Sequence, residues 1–141
     1  MANNGGDFVR SMSIATSGLR AQAGRMRVIS ENIANADSTA PTAGGDPYRR
    51  KVPTFSSALD RTLDAKVVTL GKVRPDSSAF RVKHDPGNPA ADAAGNVKYP
   101  NVNPLVEMTD MREAQRSYEA NLNIISATRR MIQRTLDILK A

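Results

Sequence analysis

MTDMREAQRSYEANLNIISATRRMIQRTLDIL, residues 108–139, is the stretch that decides how this chain folds. Met108, Met111, Gln115, Tyr118, Leu122, Ile125, Arg129, Ile132, Leu136 and Leu139 follow one another at alternating steps of three and four, and eight of the ten are apolar. Such spacing draws a narrow apolar seam along one side of an α-helix, the arrangement two helices need to pack side by side. The front of the chain repeats it. Phe8, Met12, Ala15, Leu19, Gln22, Met26, Ile29 and Ile33 keep the same steps, and seven of the eight are apolar. At 1.5 Å per residue these stripes imply rods of about 48 Å and about 39 Å. Neither stripe is satisfied by its own helix, and the simplest partner for each is the other end of the same chain. The expected fold is mainly α with a small β-rich insert: long N- and C-terminal helices paired as an antiparallel coiled coil, with the insert between them.

The boundaries follow from local chemistry. The front helix is expected to start at Asp7, whose carboxylate can accept from free N–H groups of the first turn. It should end near Asn35, before Ala36-Asp37-Ser38-Thr39 and Pro41. Gly18 and Gly24 lie inside it. They are either tolerated defects costing about 1 kcal/mol each or places where another backbone comes close, and the second reading is slightly favoured. Asn103 before Pro104 supplies a capping side chain followed by proline at the first helical position, which starts the back helix. Gln115 and Arg129 lie at the margin of its seam, where Ile124, Met131 and Ile138 widen the apolar face. Three segments result: an N-terminal assembly helix (1–35), a Pro/Gly-rich loop and β-rich insert (36–103), and a C-terminal assembly helix (104–141). The insert holds seven of the eight prolines. Within it, Thr54–Ala65 reads as a short helix on the spacing of Phe55, Leu59 and Leu63. Residues 66–70, 72–73, 80–84 and 96–99 read as strands, giving a hairpin with one added strand.

Composition narrows the function classes. The net charge of +6 is spread along the chain, +2 over residues 1–35, +3 over 36–103 and +1 over 104–141. A duplex-binding surface concentrates its charge and a single-strand binder adds stacking aromatics; with three Phe, three Tyr and no Trp, neither pattern is visible. No nucleic acid is expected as a partner. Without cysteine the chain has no disulfide, thiolate nucleophile or cysteine-based zinc site. His84, the single histidine, has no candidate nucleophile beside it and is expected to be structural or solvent-facing. No enzyme, metal or cofactor is expected. The first residues carry no basic n-region followed by an apolar h-region, and no run approaches membrane-spanning length. The expectation is a chain without membrane insertion that either stays in the cytoplasm or leaves by a route reading no ordinary signal.

Two terminal signatures carry a resemblance. Ser17-Gly18-Leu19-Arg20-Ala21-Gln22, then Val28-Ile29 and Ser30-Glu31-Asn32-Ile33-Ala34-Asn35, is similar to the N-terminal signature of flagellar axial proteins, the rod, hook and hook-associated components. Its centre is matched by Ser30, Asn32, Ile33, Ala34 and Asn35. Glu107-Met108, Met111 and Ala114 to Asn121 look like the matching C-terminal signature. Pro47-Tyr48-Arg49-Arg50-Lys51, Asp85-Pro86-Gly87-Asn88-Pro89 and Tyr99-Pro100-Asn101-Val102-Asn103 resemble the proximal-rod branch of that family.

The resemblance implies a structural subunit of the bacterial flagellar basal body, exported by the flagellar type III apparatus without a cleaved signal peptide. It would polymerise into the proximal rod in the periplasm. The implied partners are copies of itself, other rod proteins, a rod-base adaptor and the MS ring. The expected assembly interface is Phe8, Met12, Ala15, Leu19, Met26, Ile29, Ile33, Met108, Met111, Tyr118, Leu122, Ile125, Ile132, Leu136 and Leu139. Two readings of the asparagines stand. Asn35 ends the helix with Asn32 on its polar side, or the pair forms a latch or inter-subunit hydrogen bonds. Likewise Arg49-Arg50-Lys51 either meets a partner's acidic face or is solvated. Two other classes remain open: a soluble coiled-coil adaptor and a basic nucleic-acid-binding protein.

Overall fold

The structure, a computed structural model, describes residues 4–140. Two long helices enclose an insert of short strands. Helix α1 is Asn4–Ala34 and helix α2 is Pro104–Lys140. Between them lie β1 (Lys51–Val52), β2 (Phe55–Asp60), β3 (Ala65–Leu70), β4 (Arg74–Pro75), β5 (Arg81–His84) and β6 (Asn96–Tyr99).

Helix α1 begins three residues before the expected Asp7, which lies within its first turn, where the helix N-terminus favours a carboxylate. Asn35 closes the other end: its Nδ2 donates to the Glu31 carbonyl at 2.8 Å while its backbone N–H donates to the same oxygen at 3.2 Å. Helix α2 starts where expected. The Asn103 Oδ1 accepts from the Leu105 N–H at 3.1 Å, with Pro104 at the first helical position.

The insert differs from expectation in two ways. Thr54–Ala65 is not a helix: its residues form β2 and the turn into β3, with Phe55 opposite Leu70 and Asp60 opposite Ala65. The apolar spacing of four over so short a run was outweighed by pairing with Val67-Val68-Thr69-Leu70, whose β-branched residues fit a strand. Asp60 fixes the turn by accepting from the Thr62 and Leu63 N–H groups at 2.9 and 3.4 Å. The strands also form no hairpin with an added strand. They make three separate antiparallel pairs, β1·β4, β2·β3 and β5·β6, and residues 72–73 lie outside them.

Two compact units divide the chain. One gathers α1 through Met26, Thr54–Lys72, and α2 from Glu113; the other gathers Arg27–Pro53 and Val73–Arg112. In the first, the Val68 N–H donates to the Ser17 Oγ at 3.2 Å, and Arg25 lies 3.7 Å from Glu113. Phe8 and Val9 share a recess with Ile132, Thr135 and Leu136. The two helix glycines make room for side chains rather than for a backbone: a Cβ at Gly18 would lie 2.8 Å from the Asn121 Nδ2, and one at Gly24 2.7 Å from the Leu70 Cδ2. In the second unit a small core of Ala40, Ala90 and Val97 is packed by Ala91 and Tyr99. Gly95 turns the chain into β6 at φ +77°, and a Cβ there would meet the His84 Cε1 at 2.9 Å.

The cap on α2 is directly testable. Asn103→Ala is expected to destabilise the subunit by about 1 kcal/mol, read as a lowered urea midpoint, while Asn103→Asp stays near the parent.

Candidate functional site

Asn32 uses every polar group of its side chain within the second unit. It is 1% exposed, so each of its polar atoms must find a partner within the protein. The Asn32 Nδ2 donates to the Lys51 carbonyl at 2.8 Å and to the Glu107 Oε2 at 3.1 Å. Its Oδ1 accepts from the Lys51 N–H at 2.9 Å and from the Tyr48 hydroxyl at 2.8 Å. Two donor hydrogens and two lone pairs are the whole capacity of an amide, and all four are used. Toward Lys51 the amide acts as one more rung of a strand ladder, bonding both N–H and C=O of the same residue.

Glu107 is fully buried and carries the charge of this cluster. Its Oε1 accepts from the Arg50 Nε at 2.6 Å. Arg50 also approaches Asp76 Oδ2 at 3.4 Å and Asp110 Oδ2 at 3.9 Å, and its backbone N–H donates to the Asn101 Oδ1 at 2.8 Å. The Asn101 amide in turn donates to the Ser78 Oγ at 2.8 Å. Lys51 pairs with Glu31 through its ammonium, and the Arg49 guanidinium lies 4.1 Å from the centroid of the Phe80 ring. The run Arg49-Arg50-Lys51 is therefore not simply solvated, although the Lys51 side chain stays 42% exposed. All three cations are engaged within their own chain.

These bonds correct the placement of Asn32 on a polar helix side. They also bring together Tyr48, Arg50, Asp76, Asn101 and Glu107, of which Asp76 lies in no motif and none is assigned a bond to Asn32 by the sequence. Nothing in the local sequence marks Glu107 as a partner of Asn32, 75 residues away. The visible signal was a carboxylate in the first turn of a helix, which the helix dipole already explains. Of the other motif residues, Ser30 and Ala34 are exposed and Ile33 and Asn35 half-buried. His84 is exposed, with its Nδ1 3.4 Å from the Asn96 Oδ1.

The positions expected at the assembly interface fall into three groups. Ala15 and Ile29 are buried. Phe8, Met12, Leu19, Met26, Ile33, Met111, Tyr118, Ile125 and Ile132 are half-buried. Met108, Leu122, Leu136 and Leu139 are exposed, as are Leu105, Ile124, Met131 and Ile138 beside them. The covered line along α2 runs Glu107, Met111, Ala114, Tyr118, Asn121, Ile125, Thr128, Ile132. It shares every second position with the expected seam, but the alternate positions are one residue earlier. Small or polar Ala114, Asn121 and Thr128 face inward where Gln115, Leu122 and Arg129 were expected, leaving an apolar face uncovered.

Comparison with known proteins gives a consistent picture. Residues 12–40 match the family described as Flagella basal body rod protein, and residues 93–138 match Flagellar basal body rod FlgEFG protein C-terminal. The chain is 56% identical over 128 residues to flagellar basal-body rod protein FlgC of Agrobacterium fabrum, covering 91% of this chain and 92% of that one. It is 39% identical to FlgC of Bacillus subtilis, covering 92% and 97%, and 37% identical to FlgC of Aquifex aeolicus, covering 95% and 98%.

The network yields two expectations. Asn32→Ala strips partners from the buried Glu107, the Lys51 backbone and the Tyr48 hydroxyl; a loss of about 3 kcal/mol should follow, seen by denaturant unfolding. Burial, reinforced by the negative charges of Glu31 and Glu107, pushes the Tyr48 phenol up to about 12. Since an unfolded tyrosine titrates near 10, this stability is complete below about pH 10 and is lost as pH rises toward about 12. Tyr48→Phe should flatten that alkaline limb of a stability–pH curve.

Proposed function

The chain belongs to the FlgC family of flagellar basal-body rod proteins, and on that premise we propose how its terminal helices build the rod. It is a structural subunit of the basal body and not an enzyme. Among the described residues no helix is long and apolar enough to cross a membrane. The alternatives of a soluble adaptor or a nucleic-acid binder are not favoured.

The two terminal helices pair as an antiparallel coiled coil. Support comes from contacts whose numbering rises along α1 as it falls along α2: the recess shared by Phe8 and Ile132, Gly18 against Asn121, Arg25 near Glu113, and Asn32 bonded to Glu107. The segments 1–35 and 104–141 then act as assembly helices and 36–103 as the insert. The inner face of this pair carries the half-buried interface positions, and the outer face of α2 docks on neighbouring subunits.

The observation that carries this reading is the outer face itself. Ile124, Met131 and Ile138, seven residues apart and so on one stripe of α2, are 48%, 49% and 76% exposed. A soluble monomer rarely displays so much contiguous apolar surface without a partner. Burying such a side chain is worth about 1.5–3 kcal/mol, so four or five of them per contact suffice to hold a neighbour. Repeating a heterologous contact with a rotation that does not close produces an open helical tube. A close-packed wall of this kind transmits torque because its interior is nearly incompressible. Other rod proteins, a rod-base adaptor and the MS ring are the neighbours this reading assigns, after export by the flagellar type III apparatus without signal cleavage; their support is membership of the family.

The test uses the exposed positions. Met131→Asp combined with Ile138→Asp should change monomer stability by less than about 1 kcal/mol, because both side chains already meet water. The same cells should not swim and should yield no rods. Swimming cells carrying this double variant would overturn the outer-face assignment.

A further inference from the structure

We infer that two open strand edges join neighbouring copies: the outer edge of β2 in one subunit adds to the outer edge of β5 in the next. This rests on the polymerising role proposed above and names a contact outside the helices.

The backbone fixes which groups point outward. The Gly71 N–H donates to the Thr54 carbonyl at 2.6 Å, so Thr54 and Gly71 form a hydrogen-bonded pair at the end of the β2·β3 register. Antiparallel pairs alternate between hydrogen-bonded and open, which leaves Phe55, Ser57 and Leu59 with N–H and C=O directed away from β3. The far edge of β3 obeys the same phase, because the outward Val68 N–H is the one that donates to Ser17. Among the described residues no further strand lies against β2. Residues Phe55 to Leu59 are all exposed, with Phe55 and Leu59 at 43% and 58%. Such an edge normally carries a lysine, a proline or a bulge that blocks pairing, and Phe55-Ser56-Ser57-Ala58-Leu59 has no lysine or proline, while its register with β3 is unbroken.

β5 presents the complementary edge. The Asp85 N–H donates to the Gly95 carbonyl at 2.9 Å, so in the β5·β6 register Val82 and His84 point their backbone groups outward. All four β5 residues are exposed, Val82 at 64%. Laid antiparallel with Ser57 opposite Val82, the two edges bring Phe55 opposite His84 and Leu59 opposite Phe80, an apolar and aromatic row. On the other face Lys83 meets Ser56, and Ala58 lies opposite Arg81, whose guanidinium donates to the Pro100 and Ala36 carbonyls of its own chain at 3.0 and 2.9 Å. The β2 edge carries one acid and no base, and β5 carries Arg81 and Lys83 with no acid. An edge that adds to a different edge of the next copy is heterologous, as an open tube requires.

The natural absence of cysteine makes the test clean. A chain carrying Ser57→Cys and one carrying Val82→Cys are expressed together in cells, oxidised, and analysed in purified basal bodies by non-reducing electrophoresis. Hydrogen-bonded cross-strand positions stand about 5.5 Å apart at Cα, within disulfide reach. A dimer joined between position 57 and position 82 is expected. Cells that swim and build rods but give no 57–82 bond, or only 57–57 bonds, overturn the inference while leaving the rod subunit intact. Basal bodies lacking the protein overturn both. Ser57→Pro is the second arm: it removes an outward N–H but no β2·β3 bond, so the purified monomer should keep its circular dichroism while swimming falls at least tenfold. Unimpaired swimming by this variant counts equally against the edge pairing.

Discussion

A buried carboxylate needs a partner, and Glu107 has two: the Asn32 amide and the Arg50 guanidinium. Three stretches distant in sequence are tied by those bonds. The end of α1 supplies Asn32, the loop into β1 supplies Tyr48, Arg50 and Lys51, and the start of α2 supplies Glu107. Removing Asn32, Arg50 or Glu107 leaves a charge or a backbone group buried without compensation, which costs more than the intact cluster contributes. An apolar cluster of the same volume would tolerate a shift of one turn. A fully bonded amide and carboxylate do not, because every atom is specified. The cluster thus sets where one helix stops and the other begins.

With that register fixed, α2 has two dissimilar faces. The covered line holds Ala114, Asn121 and Thr128 between larger residues, while Leu122, Met131, Ile138 and Leu139 stay in water. Small residues permit close approach within the subunit, seen directly where Asn121 fills the space left by Gly18. The larger apolar residues are the ones proposed above to meet neighbouring subunits. The core of the second unit, built around Ala40, Ala90 and Val97, is correspondingly modest.

The helices were legible because their signals are local: the three-four apolar steps, the Asn103-Pro104 start, and Asn35 at the end of α1. The strands at 66–70, 81–84 and 96–99 were legible from their β-branched and flanking turn residues. The Thr54–Ala65 stretch was misread because Phe55 and Leu59, four apart, also lie on one strand face while Leu63 falls in the turn, and only the partner strand decides between the two readings. The line that the single subunit covers on α2 departs from the expected seam by one residue at alternate positions for a related reason. Hydropathy marks the most apolar stripe, and in this subunit that stripe and the covered stripe differ. The Asn32 cluster was beyond local reading altogether, although each of its members except Asp76 fell within a motif that carried the resemblance. Its bonds span 16 to 75 residues, and no periodicity records a partner at that distance.

The most direct measurement is a density map of the assembled rod at side-chain resolution. The Asn32–Glu107–Arg50 cluster should be intact inside each subunit, with Leu122, Met131 and Ile138 buried against neighbouring copies or other rod subunits. A rod in which those three side chains still face solvent, or in which Asn32 bonds across a subunit boundary instead of to Glu107 of its own chain, would contradict the account.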